Sequence, residues 1–191
     1  GTTLDMTAAT TEIHASTVTT IDSPIVSVES STSARPRFIL KNTTNDANGA
    51  VLRFVKDKGA AGGDDDNVGV IEFYADDDNQ DQVLFGRIRT RVGDASNGSE
   101  GGKMHLSVAS HDGELNHGIV ISDGSAEDEV DVTIGNGADS LTTISGDLDI
   151  PNGGFALGSD ASGDMYYRNA SGVLARIAVG SDNHVLTLNG A

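Results

Sequence analysis

The chain of 191 residues has no cysteine and no tryptophan, and it contains only three prolines, three tyrosines and five phenylalanines. Without cysteine it forms no disulfide, and a zinc site would have to use histidine and carboxylate ligands alone. The scarcity of aromatic side chains argues against a sugar-stacking groove. No stretch approaches the ~20 apolar residues of a membrane span, so we expect no membrane insertion.

Positive charge is also scarce. Twelve Lys and Arg residues stand against 29 Asp and Glu residues, which gives a formal net charge of −17. A surface of that charge repels a polyanion at long range, so nucleic acid is not an expected partner.

Large apolar residues are sparse as well. Leu, Ile, Val and Phe together supply 45 of the 191 residues, not far above the level of about 20% at which highly charged chains stay disordered. One chain alone therefore has little apolar surface to offset the entropy cost of ordering its backbone. Because its apolar residues nevertheless alternate regularly, we expect several copies to pool their apolar faces in an obligate oligomer.

The regular alternation has a period of two, which is typical of β-strands. It is clearest in Val83–Val92, where three arginines alternate with Ile88, Thr90 and Val92. It recurs in Lys103–Val108 and Val130–Ile134, and no stretch reads as an amphipathic helix of ten residues or more. The sequence predicts an all-β protein built on an elongated antiparallel β-meander.

Tight-turn signals separate these runs. Asn-Gly and Asp-Gly pairs supply the positive φ that hairpin turns require, and they occur at Asn48-Gly49, Asn97-Gly98, Asp112-Gly113 and Asp123-Gly124. The first pair lies between two further predicted strands, Phe38–Leu40 and Val51–Val55.

The chain is predicted to have four parts. Residues 1–35 form a Ser- and Thr-rich arm or shaft segment, residues 36–135 the central β domain, residues 136–155 a thin shaft or linker, and residues 156–191 a small C-terminal β module. Residues 1–35 have too few apolar residues to form a core alone, and they are either a flexible linker or a shaft segment or docking arm that only neighbouring chains order. The spacing of apolar residues in 136–155 again resembles a thin shaft.

Three acidic clusters raise the possibility of calcium binding, since Ca²⁺ prefers oxygen ligands. They occupy residues 64–67, 76–81 and 127–129. None has the spacing of an EF-hand loop, and runs of like charge are usually solvated. We interpret them as surface loops, and we expect no metal and no cofactor.

The sequence also lacks the patterns of nucleophilic and phosphate-binding chemistry. The histidines are not spaced as metal ligands: His105 is expected to face the surface from a strand, and His111 and His117 to lie in a loop. We therefore predict that the chain has no catalytic site and is not an enzyme.

Three arginines on one strand face are unusual in so acidic a chain. We expect Arg87, Arg89 and Arg91 to pair with carboxylates of an adjacent strand or subunit, where exposed pairs contribute only about 0–1 kcal/mol each. The alternative is a solvated outer face.

The C-terminal part carries a resemblance. It reads Gly163-Asp164-Met165-Tyr166-Tyr167, then Ser171-Gly172-Val173-Leu174-Ala175-Arg176-Ile177, and then Val185-Leu186-Thr187-Leu188. This resembles a module of about thirty residues in tail-fibre and appendage proteins of tailed bacteriophages, and the central stretch resembles their β-repeat domains more loosely. His184 departs from the pattern, since a turn-forming glycine is more usual there. The resemblance implies a homotrimer in which three chains build one core.

Together these patterns predict a structural protein located in the virion: a trimeric tail fibre or appendage for host attachment or virion assembly. Its expected partners are its own copies, other virion proteins and a host cell-surface receptor. Two alternatives remain open, a capsid-mounted fibre or decoration protein and a tailspike-type polysaccharide depolymerase domain.

Overall fold

The computed structural model describes residues 19–151, 154, 162, 164–172 and 174–177. The chain divides into two units, Gly1–Asp57 and Lys58–Ala191. The described residues form seven strands and no helix. The prediction of an all-β antiparallel protein is confirmed.

All seven strands lie in the second unit and form two sheets. They are β1 (Asn67–Asp76), β2 (Gln82–Asp94), β3 (Gly101–Ala109), β4 (Leu115–Asp123), β5 (Val130–Ile134), β6 (Met165–Arg168) and β7 (Leu174–Ile177). Strands β1 to β5 form one sheet in chain order, each antiparallel to the next, and β6 pairs with β7. The larger sheet is the predicted meander, and the runs Val83–Val92, Lys103–Val108 and Val130–Ile134 lie within β2, β3 and β5.

Two of the four predicted Asn-Gly and Asp-Gly turns place their glycine at a positive φ. Gly98, between β2 and β3, has φ of 87°, and Gly113, between β3 and β4, has φ of 84°. In the longer connection after Asp123-Gly124 the left-handed position is instead Asp128, with φ of 63°. Gly49 does not adopt a positive φ either, and it lies outside any hairpin.

Two predicted strands are wrong. Phe38–Leu40 and Val51–Val55 belong to no strand, and every described residue from 19 to 62 is exposed. A strand needs a neighbour that receives its backbone hydrogen bonds, and the described residues before Asn67 contain no such pair. The apolar residues of these two segments therefore did not suffice to predict a strand.

The small sheet is a hairpin in the second unit. Its turn places Gly172 at φ of 76° and is closed by a hydrogen bond of 2.9 Å from the Gly172 amide to the Asn169 carbonyl. The predicted division of the chain into four parts stays a prediction.

Candidate interaction surfaces of the sheet

The pairing register gives the five-stranded sheet two chemically different faces. Residues paired across antiparallel strands share a face. One row across the sheet is entirely apolar and consists of Ile71, Ile88, Leu106, Ile119 and Ile134. A parallel row contains Thr90, Met104, Ile121 and Val132. We call this side of the sheet the apolar face.

The residues that the structure describes form no second layer that buries the apolar face. No hydrophobic side chain in the described part of the chain is buried. Ile134 and Val132 are each 57% exposed, and Phe73 is 53% exposed. A sheet is stable when such a face packs on another layer, and covering one large aliphatic or aromatic side chain fully contributes about 1.5–3 kcal/mol. The face is therefore a candidate interface.

The opposite side, which we call the polar face, carries a cluster of basic and hydrogen-bonding side chains. Its central row consists of Val70, Arg89, His105, Val120 and Thr133. The flanking rows pair Arg87 with Ser107, and Arg91 with Lys103. His105 and Ser107 are each only 5% exposed, and they are the buried residues of the described chain.

Two of the three arginines bind carboxylates of this chain, one on the adjacent strand β1, as the sequence predicted, and one in the turn before it. Arg87 donates from Nε and Nη2 to Glu72 Oε1, at 3.0 and 2.7 Å. Arg91 Nη2 lies 3.2 Å from Asp65 Oδ1. Arg89 stands between them, and its buried Nε has no hydrogen-bond partner. Burial, then the charges of Arg91 and Arg87, lower the pKa of Arg89.

The two histidines of the polar face are in contact. The ring centroids of His105 and His117 are 4.4 Å apart. Burial lowers the pKa of His105 below its ordinary value of 6.5, and His117 and the nearby basic side chains act in the same direction. The buried Nδ1 of His105 has no hydrogen-bond partner. The cluster thus holds an excess of positive charge around a buried, unpartnered ring nitrogen.

The second histidine also contacts a serine. Ser107 Oγ and His117 Nδ1 are 2.8 Å apart. A nucleophilic serine needs an accessible hydroxyl and a third group that orients the histidine. Ser107 is buried, and no carboxylate of the described residues bonds to His117. The contact therefore satisfies a buried hydroxyl on the polar face.

Two expectations about histidines are wrong. His105 is buried rather than surface-facing, because long side chains on β2 and β3 flank it on the polar face. His117 lies in β4 rather than in a loop, because that strand begins at Leu115. His111 does lie in the turn before it.

The acidic clusters serve mainly to close turns. Asp77 Oδ1 accepts the amides of Asn79 and Asp81, each at 2.9 Å. Glu129 Oε2 accepts the amides of Ser125 and Ala126, at 2.6 and 2.9 Å. Among the described residues, no group of three or more His, Asp or Glu side chains is placed to share a metal ion.

The C-terminal hairpin joins two residues of the motif. Arg176 Nε lies 2.9 Å from Asp164 Oδ2, and the Asp164 side chain is 2% exposed. The Asp of the Gly-Asp pair and the Arg of Leu-x-Arg are thus an ion pair across β6 and β7. Val185–Leu188 and His184 lie outside the described residues.

Sequence reasoning missed the unpartnered state of Arg89 and the cluster around it. The alternation placed the three arginines on one face, but it did not give the register that sets Val70 opposite Arg89 and Glu72 opposite Arg87. A one-residue difference of register reverses every such assignment.

The described part of the chain includes no helix that could cross a membrane. No protein-family model, no curated protein and no solved structure matches the chain.

Proposed function

We propose that the chain is a structural protein of a tailed-phage virion, a homotrimeric tail fibre or appendage that serves host attachment or virion assembly. The observation that carries this proposal is the apolar face, on which a complete row of five aliphatic residues is not buried by any described part of the chain.

Other copies of the chain are the layer that we propose. The described remainder of the same unit does not bury the apolar face, since residues such as Ile134 and Val132 stay exposed. Three sheets that turn their apolar faces inward would bury the five-residue row of each copy. At about 1.5–3 kcal/mol for each fully covered side chain, covering the five-residue row contributes at most about 7.5–15 kcal/mol per chain, which is comparable to the net stability of a folded domain.

The segments outside the sheet are proposed to become the shaft. Phe38 and Val51 are 77% and 71% exposed, and Leu141 is 88% exposed. Residues 19–57 and 136–151 contain no strand of their own. Because a strand requires a partner, the alternating apolar residues of these segments fit strands that pair only with neighbouring chains.

The number of subunits and the virion come from the resemblance of the C-terminal module. The Asp164–Arg176 ion pair supports it, because it gives two residues of the motif a shared structural role. In such a trimer the polar face lies on the outside. The loops between the strands are then available to a host receptor or to other virion proteins.

The test is the protein composition of purified phage particles from the virus that encodes the chain. We expect mass spectrometry to detect the chain in particles, in a copy number divisible by three, and gold-labelled antibody to mark the tail. Antibody on the capsid would favour the decoration-protein alternative. Absence of the chain from particles would contradict the proposal.

A further inference from the structure

We propose that the polar face binds an anionic oxygen group, a carboxylate or a phosphate, at a site centred on Arg89, Lys103, His105 and His117. The ligand carries this group either as a free small anion or as a substituent of a saccharide. The inference goes beyond the proposed function and does not depend on the oligomeric state.

Arg89 forms no ion pair of its own among the described residues, although the Asp65 carboxylate acts on it. Arg87 and Arg91 each have a carboxylate partner within the chain, Glu72 and Asp65. Arg89 has Val70 opposite it on β1 and His105 opposite it on β3. Neither neighbouring strand therefore offers it a carboxylate. An arginine fork of this kind matches the two oxygens of a carboxylate or phosphate.

Two buried nitrogen atoms of the polar face lack hydrogen-bond partners. Arg89 Nε and His105 Nδ1 are both buried and make no hydrogen bond. Most buried polar groups in proteins are hydrogen-bonded, because an unsatisfied one loses its hydration without replacement. Arg89 as a residue is only half-buried although its Nε is buried, so part of the residue is accessible from solvent. A bound anion would offset the cost of burying this positive charge.

The charge next to the two histidines is positive. Arg89 lies directly opposite His105 on the neighbouring strand, and Lys103 lies in the next row of the same face. Both cations oppose metal binding by the two histidines, although the rings are only 4.4 Å apart. Both favour an anion. The titratable and charged groups of the polar face, taken from every paired element, are Glu72, Arg87, Arg89, Arg91, Lys103, His105, His117 and Asp131, with Asp65 beside them.

The size of the ligand follows from the rest of the chain. The net charge of −17 disfavours a long polyanion. A single anionic group on a small or mostly neutral ligand meets the local positive charge without that long-range repulsion. An acidic sugar and a free inorganic anion share this chemistry.

The test is a titration of the full chain followed by the imidazole NMR signals of His105 and His117. The probes are inorganic phosphate, glucuronate and a galacturonate oligosaccharide, with neutral galactose as the control ligand. We expect saturable shifts with the anions, none with galactose, and a higher pKa for His105 in the bound state. Tighter binding of the saccharide identifies a glycan source, and equal or weaker binding identifies a free anion.

The variants make the assignment specific. Arg89→Gln should weaken binding at least about tenfold, which is a loss of 1.4 kcal/mol. Arg53→Gln removes the same charge from an exposed position in the other unit and should leave affinity unchanged. Lys103→Gln tests the same site without altering Arg89, and we expect a smaller loss in the same direction.

Three results would overturn the proposal. The first is no saturable shift up to about 50 mM anion, far above the millimolar range of weak binding. The second is equal binding by Arg53→Gln and both polar-face variants. The third is a change of oligomeric mass in Arg89→Gln with unchanged anion binding, which would assign the site to an acidic side chain of another copy.

Discussion

The two faces of the five-stranded sheet reverse the usual distribution of burial. On the polar face, His105 and Ser107 are 5% exposed, whereas on the apolar face Ile134 is 57% exposed. The polar face is covered by its own long side chains, whereas no described part of the chain forms a second layer that buries the apolar face. The described residues of one chain thus bury side chains on the polar side of the sheet but not on the apolar side, for which we propose other copies as the cover.

The largest effect should come from a charge placed on the apolar face. Leu106 lies in the middle strand of the aliphatic row. In the proposed assembly other copies cover Leu106. Removing a buried leucine costs about 2–5 kcal/mol, and the charge that Leu106→Asp would bury in the interface adds to that cost. We expect the variant to lose its assembly, measured by light scattering.

The matched control puts the same charge on the other face. Val70 stands opposite Arg89 on the polar face, so Val70→Asp supplies the carboxylate that Arg89 lacks. We expect unchanged assembly and a change of stability within about 1 kcal/mol. If Leu106→Asp and Val70→Asp assembled equally well, the apolar face would not be the interface.

A turn substitution should have a moderate effect, because the turns keep both faces in register. Gly98 has φ of 87°, and no atom lies within 4 Å of the position that a Cβ would occupy. Gly98→Ala should therefore lower the free energy of unfolding by about 1 kcal/mol through the left-handed backbone alone. Gly62 also has open space but no positive φ, so Gly62→Ala should be close to neutral in the same chemical denaturation. Equal effects of the two substitutions would contradict this reasoning.

The polar face should also give the stability a dependence on pH. The pKa of His105 is lowered from 6.5 by burial and by neighbouring positive charge. The folded state therefore binds this proton less well than the unfolded state, so stability is present above 6.5 and declines as the pH falls towards the lower folded value. His105→Gln should reduce that decline, as followed by thermal unfolding from pH 8 to pH 5. An identical pH profile would show that another group is responsible.

The smallest effect should come from the exposed ion pair on the polar face. Arg87 and Glu72 are 2.7 Å apart, with both side chains partly exposed. A double-mutant cycle with Arg87→Gln and Glu72→Gln should give a coupling energy of about 0.2–1 kcal/mol, reduced by added salt. A coupling of several kcal/mol would mean that the polar face is covered in the assembly.

Sequence alone predicted the meander well, because there alternation and turn chemistry agree. Val83–Val92 is followed by Asn97-Gly98, and both features are present in the structure as β2 and its turn. The short apolar run Phe38–Leu40 predicted a strand that is absent, since an apolar run does not state which strand is its neighbour.

The candidate sites were predictable only in part for the same reason. The arginine face was visible in the sequence, and so was the shortage of apolar residues from which we expect an oligomer. The pairing of Arg87 with Glu72, and the lack of a partner for Arg89, depend on long-range register and could not be derived from spacing. The burial of His105 depends on the side chains of two neighbouring strands, which the alternation within one strand does not report.

The absolute mass of the purified chain in solution tests the central claim most directly. If other copies cover the apolar face as proposed, light scattering should give about three times the 19.6 kDa of one chain, and this mass should persist on dilution. A stable monomer, in which the aliphatic row of the sheet stays exposed, would contradict the account.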